Sequence, residues 1–246
     1  MQLFYFLKRS ILPFIIILLS FGTASAQTIK TEVSAGFNRP AFNIIDDESG
    51  ILQPGTDLTS TYGLSVLVME NNWVFKTGIY SMDFAHAFYF KLDNGLSSEE
   101  QIISNISTYR IPISFGREIM LTGGFSITPK AGFSWLTSQA TDTTGISSDV
   151  VTNFSGAGNA NRVEYEAISR AVNKNKFLAE VGLDLNFQLN WIFVLKVGAR
   201  YSFGLQPIEK TEITYQINNG ETYTGTLVSD GSGWNFNVGL VIPIYN

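Results

Sequence analysis

Trp234-Asn235-Phe236-Asn237-Val238-Gly239-Leu240-Val241-Ile242-Pro243-Ile244-Tyr245 is the stretch on which the fold turns. In an extended chain successive side chains point to opposite faces, so Trp234, Phe236, Val238, Leu240, Ile242 and Ile244 share one side. Asn235, Asn237 and Gly239 share the other. One face is apolar and aromatic, the opposite face small and polar. That asymmetry suits a strand with lipid on one side and a polar interior on the other.

Eight segments alternate in this way, each near the ~9–11 residues that a tilted membrane strand needs. They are Thr28–Asn38, Leu58–Met69, Trp73–Asp83, Ser104–Gly116, Gly124–Leu136, Lys176–Gln188, Trp191–Phe203 and Gly233–Tyr245. The outward faces carry Val33, Ala35 and Phe37; Tyr62, Leu64, Val66 and Val68; Trp73, Phe75 and Ile79; Tyr109, Ile111, Ile113 and Phe115; and Phe125, Ile127, Ala131, Phe133 and Trp135. The sixth and seventh segments alternate most cleanly, from Phe177 to Phe187 and from Trp191 to Phe203. Aromatic residues collect near segment ends, where an interfacial girdle would sit. The connections alternate in length as well. Glu70–Asn72, Arg117–Gly123 and Leu189-Asn190 are short, whereas Arg39–Asp57, Phe84–Ile103, Thr137–Asn175 and Gly204–Ser232 are long and rich in Gly, Ser, Thr, Asn and Asp. Short turns at one end and long loops at the other fit an outer-membrane barrel. The expected fold is therefore all-β, an eight-stranded antiparallel transmembrane up-and-down β-barrel with both termini on the periplasmic side. Strand-like pieces at Ala85–Leu92 and Glu212–Val228 are expected to extend the barrel beyond the membrane, and Thr137–Asn175 to form a mobile, outermost loop.

The start of the chain supplies the route. Lys8 and Arg9 precede an apolar run, Ile11–Phe21, and Ala24-Ser25-Ala26 follows as a cleavage site, the layout of a secretory signal peptide. The expected organisation is residues 1–26 as signal peptide and 27–246 as one barrel domain. Removing the leader leaves 14 Lys and Arg against 21 Asp and Glu, net −7, which argues against nucleic acid as a partner. Cysteine is absent, which removes disulfides, thiol catalysis and thiolate metal sites. A soluble barrel would show the same alternation inside out. Its outer face would carry far more Lys and Glu than the Gly, Ser, Thr and Asn of the polar face seen in this chain.

The polar face holds the candidate site: Lys30, Glu32, Lys76, Arg110, Lys130, Glu180, Asp184, Lys196 and Arg200. An eight-stranded barrel is just wide enough for its side chains to fill, and unpaired buried charges are costly. These residues are expected to pair as a lumen charge network, with Glu180 and Asp184 facing Lys196 and Arg200 across the tight turn. The same residues would form the selectivity lining of a narrow channel if the bore were open. No catalytic, cofactor or metal site is expected. The single histidine, His86, stands in a long connection with no second histidine to complete a metal site, and the acidic clusters Asp46-Asp47-Glu48 and Asp142–Asp149 lack the spacing of a calcium loop.

Thr108-Tyr109-Arg110-Ile111-Pro112-Ile113, the Pro129-Lys130-Ala131-Gly132 strand and Val197-Gly198-Ala199-Arg200-Tyr201-Ser202-Phe203-Gly204-Leu205 resemble, in that order, strand motifs of the PorT-like outer-membrane β-barrel family common in Bacteroidetes. The resemblance implies an eight-stranded barrel of outer-membrane-protein-A type without enzymatic activity, and its founding member is linked to secretion and gliding machinery. The chain departs from the usual outer-membrane ending, because Tyr245 is followed by Asn246. The expected role is structural, adhesive or accessory, carried by the outer loops. The expected partners are outer-membrane lipid and another envelope or extracellular protein bound through loops 137–175 and 204–232. A narrow channel and an accessory component of a secretion apparatus are the alternatives, and a lipid-modifying enzyme is disfavoured for want of a catalytic set.

Overall fold

A computed structural model describes residues 28–55, 58–91, 101–138, 143–154, 160–172, 175–190 and 192–245, and these form strands and turns without a helix. The proposed leader, Trp191 and Asp142 lie outside the described residues. In chain order the strands are β1 (Thr28–Pro40), β2 (Asn43–Asp47), β3 (Leu52–Pro54), β4 (Thr59–Glu70), β5 (Trp73–Phe90), β6 (Gln101–Arg117), β7 (Ile119–Thr122) and β8 (Phe125–Ser138). They continue as β9 (Thr143–Phe154), β10 (Ala160–Ala171), β11 (Asn175–Gln188), β12 (Val194–Gly204), β13 (Glu209–Ile217), β14 (Thr222–Ser229) and β15 (Gly233–Tyr245).

Eight of these strands close a barrel. Antiparallel ladders join β1 to β4, β4 to β5, β5 to β6, β6 to β8, β8 to β11, β11 to β12, β12 to β15, and β15 back to β1. Each wall strand pairs with its neighbours in the meander, which leaves no free edge in the wall. On β15, Trp234, Phe236, Val238 and Leu240 point outward and exposed, while Asn235, Asn237, Gly239 and Val241 are buried inside. The outer wall carries Val33, Leu64, Val66, Ile79, Val181, Leu183 and Val197 as an apolar band. Aromatic pairs flank it: Trp73 stacks on Phe115 with centroids 4.6 Å apart near the short-turn end, and Tyr201 meets Trp234 at 5.2 Å near the other.

The short turns are built from local chemistry. Asn71 and Asn72 both sit at positive φ (50° and 67°), the geometry of a two-residue turn whose twist matches the flanking strands. The Arg117–Gly123 connection is more ordered than a plain turn, since β7 folds back on β8 with Ile119 opposite Ile127. The β11–β12 turn is longer than the expected Leu189-Asn190, because the Asn190 Oδ1 accepts from Ile192 N (2.8 Å) and Phe193 N (2.7 Å) and delays the strand to Val194.

At the opposite end the structure departs from the expected loops. A separate five-stranded antiparallel sheet, in the order β2-β14-β13-β10-β9, stands above the barrel. Thr137–Asn175 is therefore not an irregular loop: most of its described residues form the hairpin β9–β10, with Tyr165 opposite Asp149 and Ile168 opposite Ile146. Nor does Glu212–Val228 extend the barrel wall, because β13 and β14 pair with β10 and β2 in the second sheet. The piece after Ala85 does prolong a wall strand. A register shift at His86/Ala87 marks a bulge in the β5–β6 ladder, which resumes with Ala87 opposite Ile102, and the tip of β5 also pairs with β3, Leu52 opposite Phe90.

Phe88 and Phe90 on that tip, with Leu52 and Phe42, pack against Val163, Tyr165, Ala167, Ile213, Tyr215 and Leu227 of the second sheet. The rings meet edge-on, Phe88 with Tyr165 at 5.2 Å, and tilted, Phe90 with Tyr215 at 5.1 Å. This hood thus has an apolar core of its own, and all four long connections contribute to it. Its outer face carries Arg162, Glu164, Arg170, Lys210 and Glu212, joined by exposed ion pairs such as Lys210–Glu212 at 2.8 Å. A charged outer face belongs in water, and the change from apolar wall to charged sheet marks where lipid ends.

The two faces of the wall predict unequal tolerance to charge. Leu183→Arg or Val197→Arg, both outward in the apolar band, is expected to cost roughly 2–4 kcal/mol in urea unfolding from lipid vesicles. Ser202→Ala removes an inward hydroxyl 3.3 Å from Glu180 and is expected to cost about 1 kcal/mol. Equal costs at the two faces would mean that the wall is not lipid-facing.

Candidate functional site

The lumen is the most chemically loaded region of the molecule. Inward positions on six wall strands place Glu32 (β1), Lys76 (β5), Arg110 (β6), Lys130 (β8), Glu180 and Asp184 (β11), and Lys196 and Arg200 (β12) in the middle of the barrel. Two glycines make room for the acids: a Cβ on Gly239 would press on the Glu32 side chain at 3.1 Å, and one on Gly198 would strike Asp184 Oδ1 at 2.6 Å. Lys30, nearer the short-turn end, is only half-buried and lines a vestibule instead.

These side chains form two linked clusters. In the lower one, Glu32 accepts from Lys76 Nζ at 2.8 and 2.9 Å and also from Lys196, which lies 3.6 Å from Asp184. Asp184 in turn accepts from Lys130. In the upper cluster Arg110 Nη2 lies 2.5 Å from Glu180 Oε1, and Arg200 Nη1 lies 3.6 Å from Glu180 Oε2. Ser134 locks this cluster, donating to Glu180 at 2.6 Å while accepting from Arg110 Nε at 2.9 Å.

The structure therefore places Glu180 and Asp184 beside Arg200 and Lys196, at 3.6 Å in both cases, but their shorter contacts are with Arg110 and Lys130. Glu32 holds the lower cluster together. Sequence reasoning missed Tyr80, whose ring lies 5.5 Å from Lys76 Nζ and 5.8 Å from the Arg200 guanidinium carbon. The ring thus couples the clusters through its negative face. Its signal was positional: Tyr80 shares the inward register of Lys76 on β5, at the level of the charges, in a wall that turns most of its aromatics outward.

The lumen is closed at two levels. Above the ion pairs, Met82, Phe84, Leu136, Leu178 and Ile208 form a buried apolar cap. Below them, a vestibule of about 120 Å³ opens at the short-turn end and stops at Asp184 and Lys196, with Lys30, Glu118, Asn186 and Gln188 along its sides. Among the described residues no three His, Cys, Asp or Glu side chains gather as a metal site. Asp47, one of the acidic residues weighed as a cation ligand, is structural. It accepts from Leu52 N at 2.9 Å and from the Tyr215 hydroxyl at 2.6 Å. Burial, together with that bond to a carboxylate, pushes the Tyr215 phenol above the usual tyrosine range, so the hydroxyl stays a donor.

No protein-family model and no curated protein matches the chain. Solved structures do. The outer membrane protein OprG from Pseudomonas aeruginosa superposes with a TM-score of 0.53 at 14% identity, over 92% of this chain and 99% of that one. Neisserial surface protein A gives a TM-score of 0.43 at 11% identity, over 89% and 98%. A major outer membrane protein from Thermus thermophilus gives a TM-score of 0.43 at 11% identity, over 89% and 100%. At such identity the first likeness speaks to the fold alone, that of a small closed membrane barrel.

Proposed function

We propose that the chain is an integral outer-membrane protein whose barrel is a closed scaffold and whose work is done by the hood, in a structural, adhesive or accessory role without catalysis. One observation carries this reading. Three of the four long connections supply the strands of a folded sheet, and the fourth adds Phe88 and Phe90 to its core, while the lumen beneath is stopped by ion pairs and an apolar cap. A pore would need the opposite, an open bore with connections held clear of it. The signal-peptide layout of residues 1–26 supports export, and the long-connection end then faces outside. Lipid surrounds the wall, and the partner of the hood is another envelope or extracellular protein, met through strands and turns within 137–175 and 204–232.

The vestibule favours a second reading, a narrow channel for small solutes or ions entering from the short-turn side. Planar-bilayer recording separates the two. The expected result is no steady current in symmetric salt; a stable unit conductance, raised by Phe84→Ala in the cap, would establish the channel and sink the scaffold reading. The PorT-like motifs support a third, narrower version, service to a secretion apparatus. A pull-down from membranes through a tag at the chain end tests it, since co-purification of secretion components that is lost when the hood is removed is the expected sign.

A further inference from the structure

The middle of the lumen carries five cationic side chains, Lys76, Arg110, Lys130, Lys196 and Arg200, against three anionic ones, Glu32, Glu180 and Asp184, among the described residues. All eight are at most 7% exposed. Each carboxylate already serves two cations: Glu32 holds Lys76 and Lys196, Asp184 holds Lys130 and Lys196, and Glu180 holds Arg110 and Arg200. Among the described residues no further carboxylate stands at this level, the one other acidic group being the buried Tyr80 phenol beside Lys76 and Arg200, and an uncompensated buried charge is among the costliest features a fold can carry.

The shortfall is concentrated on Arg200. Its Nη1 reaches Glu180 only at 3.6 Å, and its Nε and Nη2 are buried without a hydrogen-bond partner. Arg200 lines a small cavity with Lys130, Ser114 and Glu180, closed on one side by the bare backbone of Gly132 and Gly182. Glu180 turns its Oε1 toward Arg110, Ser134 and Ser202. The open space is about 10 Å³, enough for a single small occupant and too little for a carboxylate or phosphate.

We propose that this cavity binds one monatomic halide, chloride under ordinary conditions, held by the free Arg200 N–H groups, the Lys130 ammonium and the Ser114 hydroxyl. The ion neutralises one of the two excess charges, and the other faces the Tyr80 ring between Lys76 and Arg200. The lumen is then a salt-loaded plug, and its stability depends on halide by mass action.

The test uses the full barrel in detergent. Crystals grown with sodium bromide in place of chloride are expected to show one anomalous peak between Arg200 and Lys130. At constant ionic strength the melting temperature is expected to be several degrees higher in sodium chloride than in sodium gluconate, and the difference to vanish in Arg200→Gln. Should Arg200→Gln not fold, Lys130→Met or Ser114→Ala serves, with the halide response abolished in the first and weakened in the second. Absence of the bromide peak, a peak elsewhere in the lumen, or a halide response retained in the variants overturns the proposal. So does a peak without any halide-dependent melting, which is binding at crystal concentration only.

Discussion

Glu32→Gln is expected to cost roughly 3–5 kcal/mol, the largest loss from any single lumen substitution. The reason is asymmetry. Glu32 is fully buried, and among the described residues it is the only carboxylate in an ion pair with Lys76; Lys196 at least keeps Asp184 at 3.6 Å. Removing the acid strands a buried ammonium, which loses its partner while still paying for desolvation. Removing the whole cluster is a different experiment. Glu32→Leu with Lys76→Met and Lys196→Met leaves Asp184 its contact with Lys130 and takes three charges out of a dry space, so it is expected to be near neutral or stabilising. Urea unfolding of the barrel in vesicles, read by the heat-dependent shift on gels, gives both numbers. A single substitution costing under about 1 kcal/mol would mean that water reaches this level from the vestibule and screens the charges.

That pairing pattern shows where the sequence stops being informative. Alternation along β11 and β12 was enough to put Glu180, Asp184, Lys196 and Arg200 on one face, because period 2 decides which side of a sheet a residue takes. It says nothing about reach across a bore. The Glu32–Lys76 pair joins strands separated by β4, and the Glu180–Arg110 pair joins strands separated by β8. Such partners depend on barrel stagger, a global property that no single strand encodes. The wall itself was legible for the converse reason, since each strand pairs with a sequence neighbour and the length of each connection declares its end. The hood was hidden because the ladders that join its two hairpins and β2 are non-local: β2 pairs with β14 and β10 with β13 across long separations. Its edge strand β9, Thr143–Phe154, is rich in Ser, Thr, Gly and Asn, composition that also describes a solvated loop.

Phe90→Ala is expected to unfold the hood and leave the barrel standing. Phe90 is wholly buried, and its ring touches Phe88, Tyr165 and Tyr215, so truncation removes the centre of the hood core at roughly 3–5 kcal/mol. The barrel has separate sources of stability in its closed ladder, its ion pairs and the Met82, Phe84, Leu136, Leu178 and Ile208 cap, none of which includes Phe90. Arg162, Arg170 and Lys210 report the difference. They are exposed in the folded hood but held in paired strands, which proteases cut poorly; once the core is lost they become ordinary trypsin sites. Trypsin on intact cells is therefore expected to spare the wild-type hood and to nick Phe90→Ala at these positions, with the nicked protein still showing the heat-dependent gel shift. Deleting residues 147–170 takes away most of β9 and β10, and with them Tyr165, so it should reproduce the nicking at Lys210 while the barrel still inserts. Loss of insertion in either variant would show that wall and hood form one cooperative unit. Protection in intact cells followed by cleavage after the outer membrane is opened would place the hood in the periplasm and reverse the topology on which a surface role depends.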